Sequence, residues 1–441
     1  MTHWLRRAFG VEADETGAVV AGFVMFFLLF AGYFMLRPVR ETMGITGGVE
    51  NLQWLFTGTF LATLAAMPLF GWIAGKVRRR RVLYWVYGFF ASNMVAFGAC
   101  FLADPGNVWV ARTFYVWLSV FNLIAISVAW SVLVDVFSVA QARRLFALMV
   151  AGASLGGLTG PLLGVFLVGP IGHAGLIFLA AALLPASALA ARTVHRWRDR
   201  HPIEHAAAEG RALSLSTRAR PLGGSPFAGA TEVLRSPYLL GIALFVVLLA
   251  SVTTFLYFEQ ARLVEAAFPN PVDQTRVFGI IDTVVQTLAI LTQLFITGRI
   301  AQRLGVGVLL VAVPVVVAAG FLWLAFAPVF AALAVVMVVR RAGEYAFVRP
   351  GREMLYTTVG DEAKYKAKNF NDTVVYRGAD AVSAWVKAGI DMVAQQPAVA
   401  MVIGTGIALA WGVNGAALAR AYRRRASEPG IAGARPIGRA D

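Results

Sequence analysis

The chain has 441 residues, of which 59% are hydrophobic and 14% are charged, and its mean hydropathy is +0.69. Since an ordinary soluble domain is about 25% charged, this composition excludes a typical soluble enzyme or nucleic-acid-binding protein and indicates a membrane protein. The net charge of +15 would suggest a polyanionic partner in a soluble protein, whereas in a membrane protein it can orient the chain. One cysteine, Cys100, and five scattered histidines give no spacing for a disulfide framework, a metal site or a cofactor.

Twelve apolar runs reach the length of about 20 residues with which a helix crosses a bilayer. We predict spans at residues 17–38, 51–75, 82–103, 109–137, 145–168, 172–192, 237–261, 275–298, 306–326, 328–349, 373–393 and 397–419. The predicted fold class is an all-α membrane protein with two six-helix halves, 1–192 and 237–419, a cytoplasmic linker at 193–236 and a basic tail at 420–441. The first apolar run has no small-residue cleavage site after it, so no removable signal peptide is expected.

The distribution of positive residues predicts the orientation. With the N-terminus inside, 30 of the 39 Lys and Arg residues fall in cytoplasmic segments and four fall in outer ones. We therefore expect a multi-pass protein of the cell inner membrane with both termini in the cytoplasm. Since topology accounts for the net charge, the lipid bilayer is the expected partner and nucleic acid is not.

A five-residue string, R-P-x-R-E, occurs at residues 37–41 near the end of the first span and again at 349–353 at the end of the tenth. Proline is expected to break each helix, and the arginines then lie at the negative end of the helix dipole. We interpret the copies as charged clusters at the two mouths of one pathway, the first facing outward and the second inward. Juxtamembrane anchors that match by chance are the alternative. The charged members are Arg37, Arg40, Glu41, Arg349, Arg352 and Glu353.

The tenth span carries Arg340, Arg341 and Glu344 inside its apolar run. An arginine at bilayer depth costs at least about 2.5 kcal/mol, so such residues usually face a pathway and pair with one another. Glu344 follows Arg340 by four residues and Arg341 by three, within helical reach of both. A structural salt bridge to a neighbouring helix is the alternative.

Other spans also contain polar side chains, and basic residues of the spans and of both R-P-x-R-E copies outnumber acidic ones by ten to eight. Planar arginine donors suit phosphate or carboxylate groups, which favours a small anionic substrate. Alternatively, a carboxylate such as Asp282 or Glu344 titrates and couples transport to a proton gradient. The candidates for ion coupling or for the pathway are Asn122, Asp135, Glu259, Asp282, Arg377 and Asp380.

Two six-helix halves joined by a basic loop resemble the major facilitator architecture, in which the halves rock about a substrate site near the midplane. Residues 71–81 and 298–305 resemble its loop pattern without the usual acidic residue, and positive-inside anchoring is the alternative. Residues 152–164 place glycines on one helix face and resemble an antiporter motif, with close helix packing as the simpler interpretation. No G-x-x-x-x-G-K-[ST] string occurs, so ATP-driven pumping is not expected. The composition and the transporter-like patterns predict that the chain is not an enzyme.

Residues 33–41, Tyr-Phe-Met-Leu-Arg-Pro-Val-Arg-Glu, resemble the first-helix signature of the nucleotide transporter (ATP/ADP translocase) family of plastids and intracellular bacteria. Residues 352–356, Arg-Glu-Met-Leu-Tyr, resemble the K-E-M-x-Y string of that family. The stretch 361–372 resembles its K-x-K-x-K run and downstream aspartate, here Asp372, and 130–144 resembles its fourth-helix pattern.

The resemblance implies a divergent bacterial member in which Arg40 and Lys368 take part in transport, with Lys364 and Lys366 as neighbours. Read from the residues alone, the three lysines form a basic cytoplasmic loop. The acidic residue that the family has in its fourth helix would fall near Leu118, where this chain has no carboxylate.

These patterns together predict a monomeric secondary active transporter that works by alternating access and exchanges a nucleotide, such as ATP or ADP, or another phosphorylated anion. Two alternatives stay open. One is a proton-coupled facilitator-type exporter of an unrelated small molecule, and the other is a flippase for an anionic lipid.

Overall fold

The computed structural model describes residues 11–76, 79–201, 229–394 and 396–427, and every regular element in these ranges is helical. The α-helices are α1 (Thr16–Thr46), α2 (Leu52–Lys76), α3 (Arg79–Ala103), α4 (Val108–Val136), α5 (Val139–Arg200), α6 (Ala230–Arg235), α7 (Pro237–Ala267), α8 (Pro271–Thr292), α9 (Gly298–Phe326), α10 (Phe330–Gly343), α11 (Arg349–Leu355), α12 (Asp361–Phe370), α13 (Tyr376–Ala394) and α14 (Pro397–Ala426). The π-helical segments π1 (Gln293–Thr297), π2 (Glu344–Val348) and π3 (Asn371–Val375) join α8 to α9, α10 to α11 and α12 to α13.

Eight helices in the described ranges are long and apolar enough to cross a membrane. Two of these contain two predicted spans each, namely α5 and the continuous helix that α8, π1 and α9 form. The chain turns at Gly172 in α5, with φ 66°, and at Gly305 in α9, with φ 74°. Glycine alone adopts such left-handed backbone angles without steric cost. The tenth predicted span covers α10 and π2, and the eleventh covers α13. The described helices are therefore consistent with twelve spans.

The described residues group into two compact units. Unit 1 is Met1–Gly224 with Val264–Thr287, and unit 2 is Ser225–Leu263 with Leu288–Asp441. The division falls inside α7 and inside α8, so most of α8 packs with the N-terminal helices. Of the predicted linker, residues 202–228 lie outside the described ranges. Fully buried aromatic side chains fill the cores, namely Phe26, Phe114 and Phe121 in unit 1 and Phe245, Phe321 and Trp411 in unit 2.

Glycines of α5 let it approach the backbone of α1 within unit 1. A methyl group added at Gly160 would lie 2.5 Å from the carbonyl oxygen of Ala31 and 3.0 Å from the backbone nitrogen of Met35. Gly152 and Gly156 meet backbone carbonyl oxygens of α1 in the same way. Small residues permit this approach in membrane helices, and the predicted close packing of the glycine face is confirmed.

Both R-P-x-R-E copies lie within helical structure, which corrects the expectation that they end their helices. Helix α1 continues past Pro38 to Thr46, and the Thr42 hydroxyl donates to the Pro38 carbonyl oxygen at 3.2 Å. Membrane helices tolerate a proline inside the helix, although its missing N–H leaves the carbonyl group of Phe34, four residues earlier, without its usual helical donor. Pro350 is the second residue of α11 and follows π2 directly, so its missing N–H leaves a carbonyl group of π2 without a helical donor.

Candidate functional site

The first R-P-x-R-E copy holds Arg40 between α1 and α4 in unit 1. Arg40 Nη1 donates to Glu41 Oε1 at 3.1 Å, and Arg40 Nε donates to the Tyr115 carbonyl oxygen at 3.2 Å. The guanidinium carbon lies 3.7 Å from the centroid of the Tyr115 ring, a cation–π contact. Glu41 Oε2 is buried without a hydrogen-bond partner in the described part of the chain. These contacts fix the direction in which Arg40 points.

Arg37 pairs with α8, which also belongs to unit 1 at this point. Arg37 Nε lies 3.7 Å from Asp282 Oδ2, and the Asp282 side chain is only 4% exposed. The hydroxyls of Thr42 and Thr275 are 2.7 Å apart, and His173 Nε2 lies 2.9 Å from the Thr275 hydroxyl. Polar contacts thus tie the first part of α8 to α1 and α5.

Glu344 links two arginines in unit 2. Its Oε2 accepts from Arg340 Nη1 at 3.1 Å, and its Oε1 accepts from Arg349 Nη2 at 3.2 Å and from Nε at 3.3 Å. The structure confirms the contact with Arg340 that the four-residue spacing predicts. The contact with Arg349 arises because Glu344 begins π2, where the wider turn brings residues five apart together. Arg340 also donates to the Thr253 hydroxyl at 2.9 Å.

Two side chains of π1 stabilise π2. Gln293 Nε2 donates to the Tyr345 carbonyl oxygen at 3.0 Å, and the Thr297 hydroxyl donates to the Ala346 carbonyl oxygen at 2.9 Å. A change of helix type leaves carbonyl groups without their α-helical donors, and an unpaired backbone group costs several kcal/mol in a bilayer. The π1 side chains therefore help to maintain the turn that brings Arg349 to Glu344.

A second set of ion pairs joins the two family-like motifs of unit 2, and we call its members, Arg352, Glu353, Lys368 and Asp372, the α11–α12 cluster. Arg352 Nη2 lies 2.9 Å from Asp372 Oδ1, and Lys368 Nζ lies 2.7 Å from Glu353 Oε2. The motif strings are separated in sequence, but these contacts make them one polar group.

The lysine run is helical, which corrects the predicted loop. Lys364, Lys366 and Lys368 lie on α12, and Ala367 between them is fully buried. Phe370 packs against the core of unit 2 from the same helix. The run therefore has an apolar face that favours a helix, a feature that its charge conceals in the sequence.

Burial and charge act on the cluster in opposite directions. Burial raises the pKa of the Asp372 carboxyl, and the positive charges of Arg352 and Lys368 oppose that rise. Burial also raises the pKa of Tyr356 to about 12, so its hydroxyl stays protonated and accepts from Asn371 Nδ2 at 3.0 Å. Arg352 Nε and Asn371 Oδ1 are buried and have no hydrogen-bond partner within the described ranges. The cluster thus keeps a donor and an acceptor for a further polar group.

Other predicted residues of unit 2 form separate pairs. Asp380 Oδ2 lies 3.6 Å from Arg377 Nη1, and Asp380 Oδ1 accepts from the Thr254 hydroxyl at 3.2 Å. Glu259, which is buried in α7, pairs with Arg262 on the same helix. These pairs share no residue with the α11–α12 cluster.

The remaining predicted residues are distributed over three helices. Arg341 is buried in α10. Asn122 lies on α4, and its Oδ1 is buried without a hydrogen-bond partner among the described residues. Asp135 lies near the end of the same helix. Lys364 Nζ lies 5.7 Å from the centroid of the Tyr365 ring on α12.

Sequence reasoning missed the neutral partners of the charged residues, namely Tyr115, Thr253, Thr254 and Asn371. The adjacent threonines within an apolar span are the only signal available. That signal is weak because a threonine hydroxyl also bonds its own helix, as Thr253 does to the Leu249 carbonyl oxygen at 2.8 Å. Only the tertiary structure shows which threonine meets an arginine.

Apolar helices of bilayer length, with paired arginines and carboxylates buried among them, define a multi-pass membrane transporter. The sequence profile of the Major Facilitator Superfamily matches residues 18–269. The chain belongs to this family, and its relatives are transporters rather than enzymes.

The curated relatives include two carriers of intracellular bacteria. ADP,ATP carrier protein 1 of Chlamydia trachomatis is 21% identical in an alignment that covers 86% of this chain and 83% of the relative. The protein of the same name from Chlamydia muridarum is also 21% identical, with the same coverage. This homology over most of the chain confirms the predicted resemblance to the nucleotide transporter family.

Solved transporter structures share the fold. A bacterial homolog of the human lysosomal transporter Spinster aligns with a TM-score of 0.59 at 14% identity, over 95% of this chain and 100% of that one. A mutant of the nucleoside transporter NupG gives 0.59 at 13% identity, over 92% and 99%. At such identities the likeness concerns the fold alone, and it confirms the predicted all-α, major facilitator-like class.

Proposed function

We propose that the chain is a secondary active transporter that exchanges a nucleotide or another phosphorylated anion by alternating access. The α11–α12 cluster carries this proposal, because its ion pairs of 2.9 and 2.7 Å join the two strings by which the sequence resembles the nucleotide transporter family. Each pair combines a cation that suits a phosphate oxygen with a carboxylate that a phosphate can displace.

The exchange of anionic partners supplies a mechanism. Without substrate, Asp372 and Glu353 neutralise Arg352 and Lys368. An entering phosphate group first meets Arg352 Nε, which has no partner within the described ranges, and then competes for both cations. Displacing Glu353 from Lys368 releases α11 from α12, and displacing Asp372 from Arg352 releases α11 from π3. Substrate binding therefore favours a different arrangement of these elements. When the substrate leaves, the carboxylates return to the cations.

The first R-P-x-R-E copy suits the same chemistry on the other side of the membrane. Arg37 pairs with Asp282 at 3.7 Å and Arg40 with Glu41 at 3.1 Å, so cations are again held by displaceable carboxylates. We assign this copy to the outer mouth and the second copy to the inner mouth. The assignment rests on the distribution of positive residues, which also favours an inner-membrane protein with both termini in the cytoplasm.

A nucleotide is preferred to other phosphorylated anions because of the relatives. Those from Chlamydia are named as carriers of ADP and ATP, and one structural neighbour is named as a nucleoside transporter. The substrate is expected to bind a single chain without a cofactor.

Uptake into proteoliposomes tests the proposal. Purified protein is reconstituted, and entry of labelled ADP, ATP and inorganic phosphate is measured with and without unlabelled nucleotide inside. We expect nucleotide entry that depends on the internal counter-substrate. Protein-free liposomes of the same lipids give the background uptake. If none of the phosphorylated anions enters the protein-containing liposomes above this background, the proposed exchange is refuted.

Proton coupling is the second candidate, and the raised pKa of Asp372 favours it. Protonation of Asp372 removes its charge and frees Arg352, which would link proton binding to the same helix contact. In this case a pH gradient alone drives uptake, and internal counter-substrate has no effect. The two candidates therefore give opposite results in the same liposomes.

A further inference from the structure

The last helix, α14, has one exposed face that changes from apolar to basic. Leu409 and Val413 are 51% and 71% exposed. Ala417 is exposed one turn later, and Arg420 and Arg424 follow on the same face. Residues that are three or four apart form one stripe along a helix. An exposed apolar stripe on a helix that can cross a membrane contacts acyl chains, so the arginines stand where the lipid chains end.

The arginines at this end border a concavity of about 360 Å³. Arg425 forms one wall, and its guanidinium carbon lies 4.3 Å from the centroid of the Tyr238 ring. Helix α14 contains no acidic residue, and neither Arg420 nor Arg424 has an ion-pair partner in the ranges that the structure describes. Two guanidinium groups one turn apart thus remain available to an anion. The lining residues are Ala417, Arg420, Ala421, Arg424 and Arg425.

We propose that this end of α14 binds the headgroup of an anionic phospholipid whose acyl chains lie along the apolar stripe. Arg420 and Arg424 present donor forks that fit phosphate oxygens, while Leu409 and Val413 contact the chains. A free phosphate would use the arginines alone, so the adjoining stripe favours a lipid. This site shares no residue with the proposed transport machinery and does not depend on it.

Arg423 provides a matched control on the same turn. It is exposed and lies between the two proposed ligands in sequence, but it does not line the concavity. If basic residues here only orient the chain, all three arginines are equivalent. A headgroup site makes Arg420 and Arg424 different from Arg423.

Native mass spectrometry of the full-length protein in detergent tests the site, with added phosphatidylglycerol as the probe and phosphatidylcholine as the neutral comparison. We expect the wild type and Arg423→Gln to retain phosphatidylglycerol in preference to phosphatidylcholine. Each of Arg420→Gln and Arg424→Gln should weaken its retention about fivefold, since a basic residue near an anionic surface contributes about 1 kcal/mol. Melting temperatures without lipid verify that all variants are folded.

Three results would overturn the proposal. Equal retention of both lipids by the wild type excludes an anionic headgroup site. An equal loss of phosphatidylglycerol retention in Arg423→Gln would show that retention depends only on the total positive charge of this helix end. Competition by glycerol 3-phosphate or inorganic phosphate at the concentrations at which phosphatidylglycerol binds identifies a free-phosphate site. Retention of phosphatidylglycerol against these soluble competitors supports the lipid.

Discussion

Arg352 and Asp372 lie 2.9 Å apart, with the arginine side chain 13% exposed and the aspartate side chain 34% exposed. Removing two charges from water costs about as much as their attraction returns, so a buried pair adds little net stability over apolar residues. Breaking such a pair is expensive, because the remaining charge has no partner. We therefore interpret the ion pairs of this protein as functional contacts that fold stability alone does not require.

Replacing Arg352 by alanine tests this interpretation at a single residue. Loss of a charge-assisted hydrogen bond costs about 1.5–3 kcal/mol, so nucleotide uptake should fall roughly 10-fold to 100-fold. Arg303→Ala, which removes an exposed arginine of α9, should leave uptake near the wild-type rate. Initial rates in proteoliposomes measure both variants, and equal rates for Arg352→Ala and wild type would remove Arg352 from the mechanism.

The raised pKa of Asp372 predicts a pH dependence with a definite sign. The ion pair with Arg352 needs a deprotonated carboxylate, so it exists above the pKa of Asp372 and is lost as pH falls through it. Since burial raises this pKa from the ordinary 3.8, the loss occurs at a higher pH than for an exposed aspartate. Because the proposed exchange cycle needs the carboxylate to return to Arg352 when the substrate leaves, wild-type uptake should fall on acidification, whereas Asp372→Asn should be slow at every pH. A parallel fall in the variant would assign the titration to another group.

At the scale of elements, the glycine face of α5 sets how closely it approaches α1. A methyl group at Gly160 would lie 2.5 Å from the Ala31 carbonyl oxygen, whereas one at Gly164 would lie 3.5 Å from the nearest atom, an ordinary contact. Gly160→Ala should cost about 1–3 kcal/mol, as overpacking does, and lower the melting temperature in detergent. Gly164→Ala should not, and equal melting temperatures for the two variants would contradict the packing described.

The hydrogen bond from Thr297 to the Ala346 carbonyl oxygen, at 2.9 Å, gives a second prediction for the elements. Thr297→Val keeps the shape but removes the donor, at a cost of about 1 kcal/mol, so it should lower the melting temperature. The Thr297 hydroxyl is also 3.1 Å from the Thr292 carbonyl oxygen of its own helical segment. Thr287→Val is therefore the matched control, because that hydroxyl donates within its own helix, to the Thr283 carbonyl oxygen at 2.8 Å. If the two valine variants have the same melting temperature, the hydrogen bond from Thr297 to Ala346 does not stabilise π2.

The apolar runs predict the helices because a segment of about 20 apolar residues satisfies its own backbone hydrogen bonds in lipid only as a helix. The Arg340–Glu344 pair follows from helical periodicity alone. The contact of Glu344 with Arg349 could not be predicted, because it depends on a π turn that side chains of another helix stabilise. For the same reason the Arg352–Asp372 contact needs the tertiary structure, although the sequence indicates both residues as candidates.

For the whole molecule, the positive-inside distribution predicts which loops face the cytoplasm. Gly106 and Gly360 are exposed glycines in turns that we expect on the outer and inner side, respectively. In a Cys100→Ser background, Gly106→Cys should react with a membrane-impermeant maleimide in intact cells, and Gly360→Cys only after permeabilisation. The reverse pattern would invert the topology and exchange the mouths assigned to the R-P-x-R-E copies.

Counter-exchange of nucleotide is the most direct test of the central claim. Proteoliposomes are loaded with labelled ADP, and its efflux is followed after unlabelled ATP is added outside, with Arg352→Ala and Arg303→Ala liposomes in parallel. We predict that external ATP accelerates efflux in the wild type and in Arg303→Ala but not in Arg352→Ala. Two results would contradict exchange through the α11–α12 cluster. One is ADP efflux whose rate does not change when external ATP is added, and the other is efflux that a pH gradient drives equally in wild-type, Arg303→Ala and Arg352→Ala liposomes.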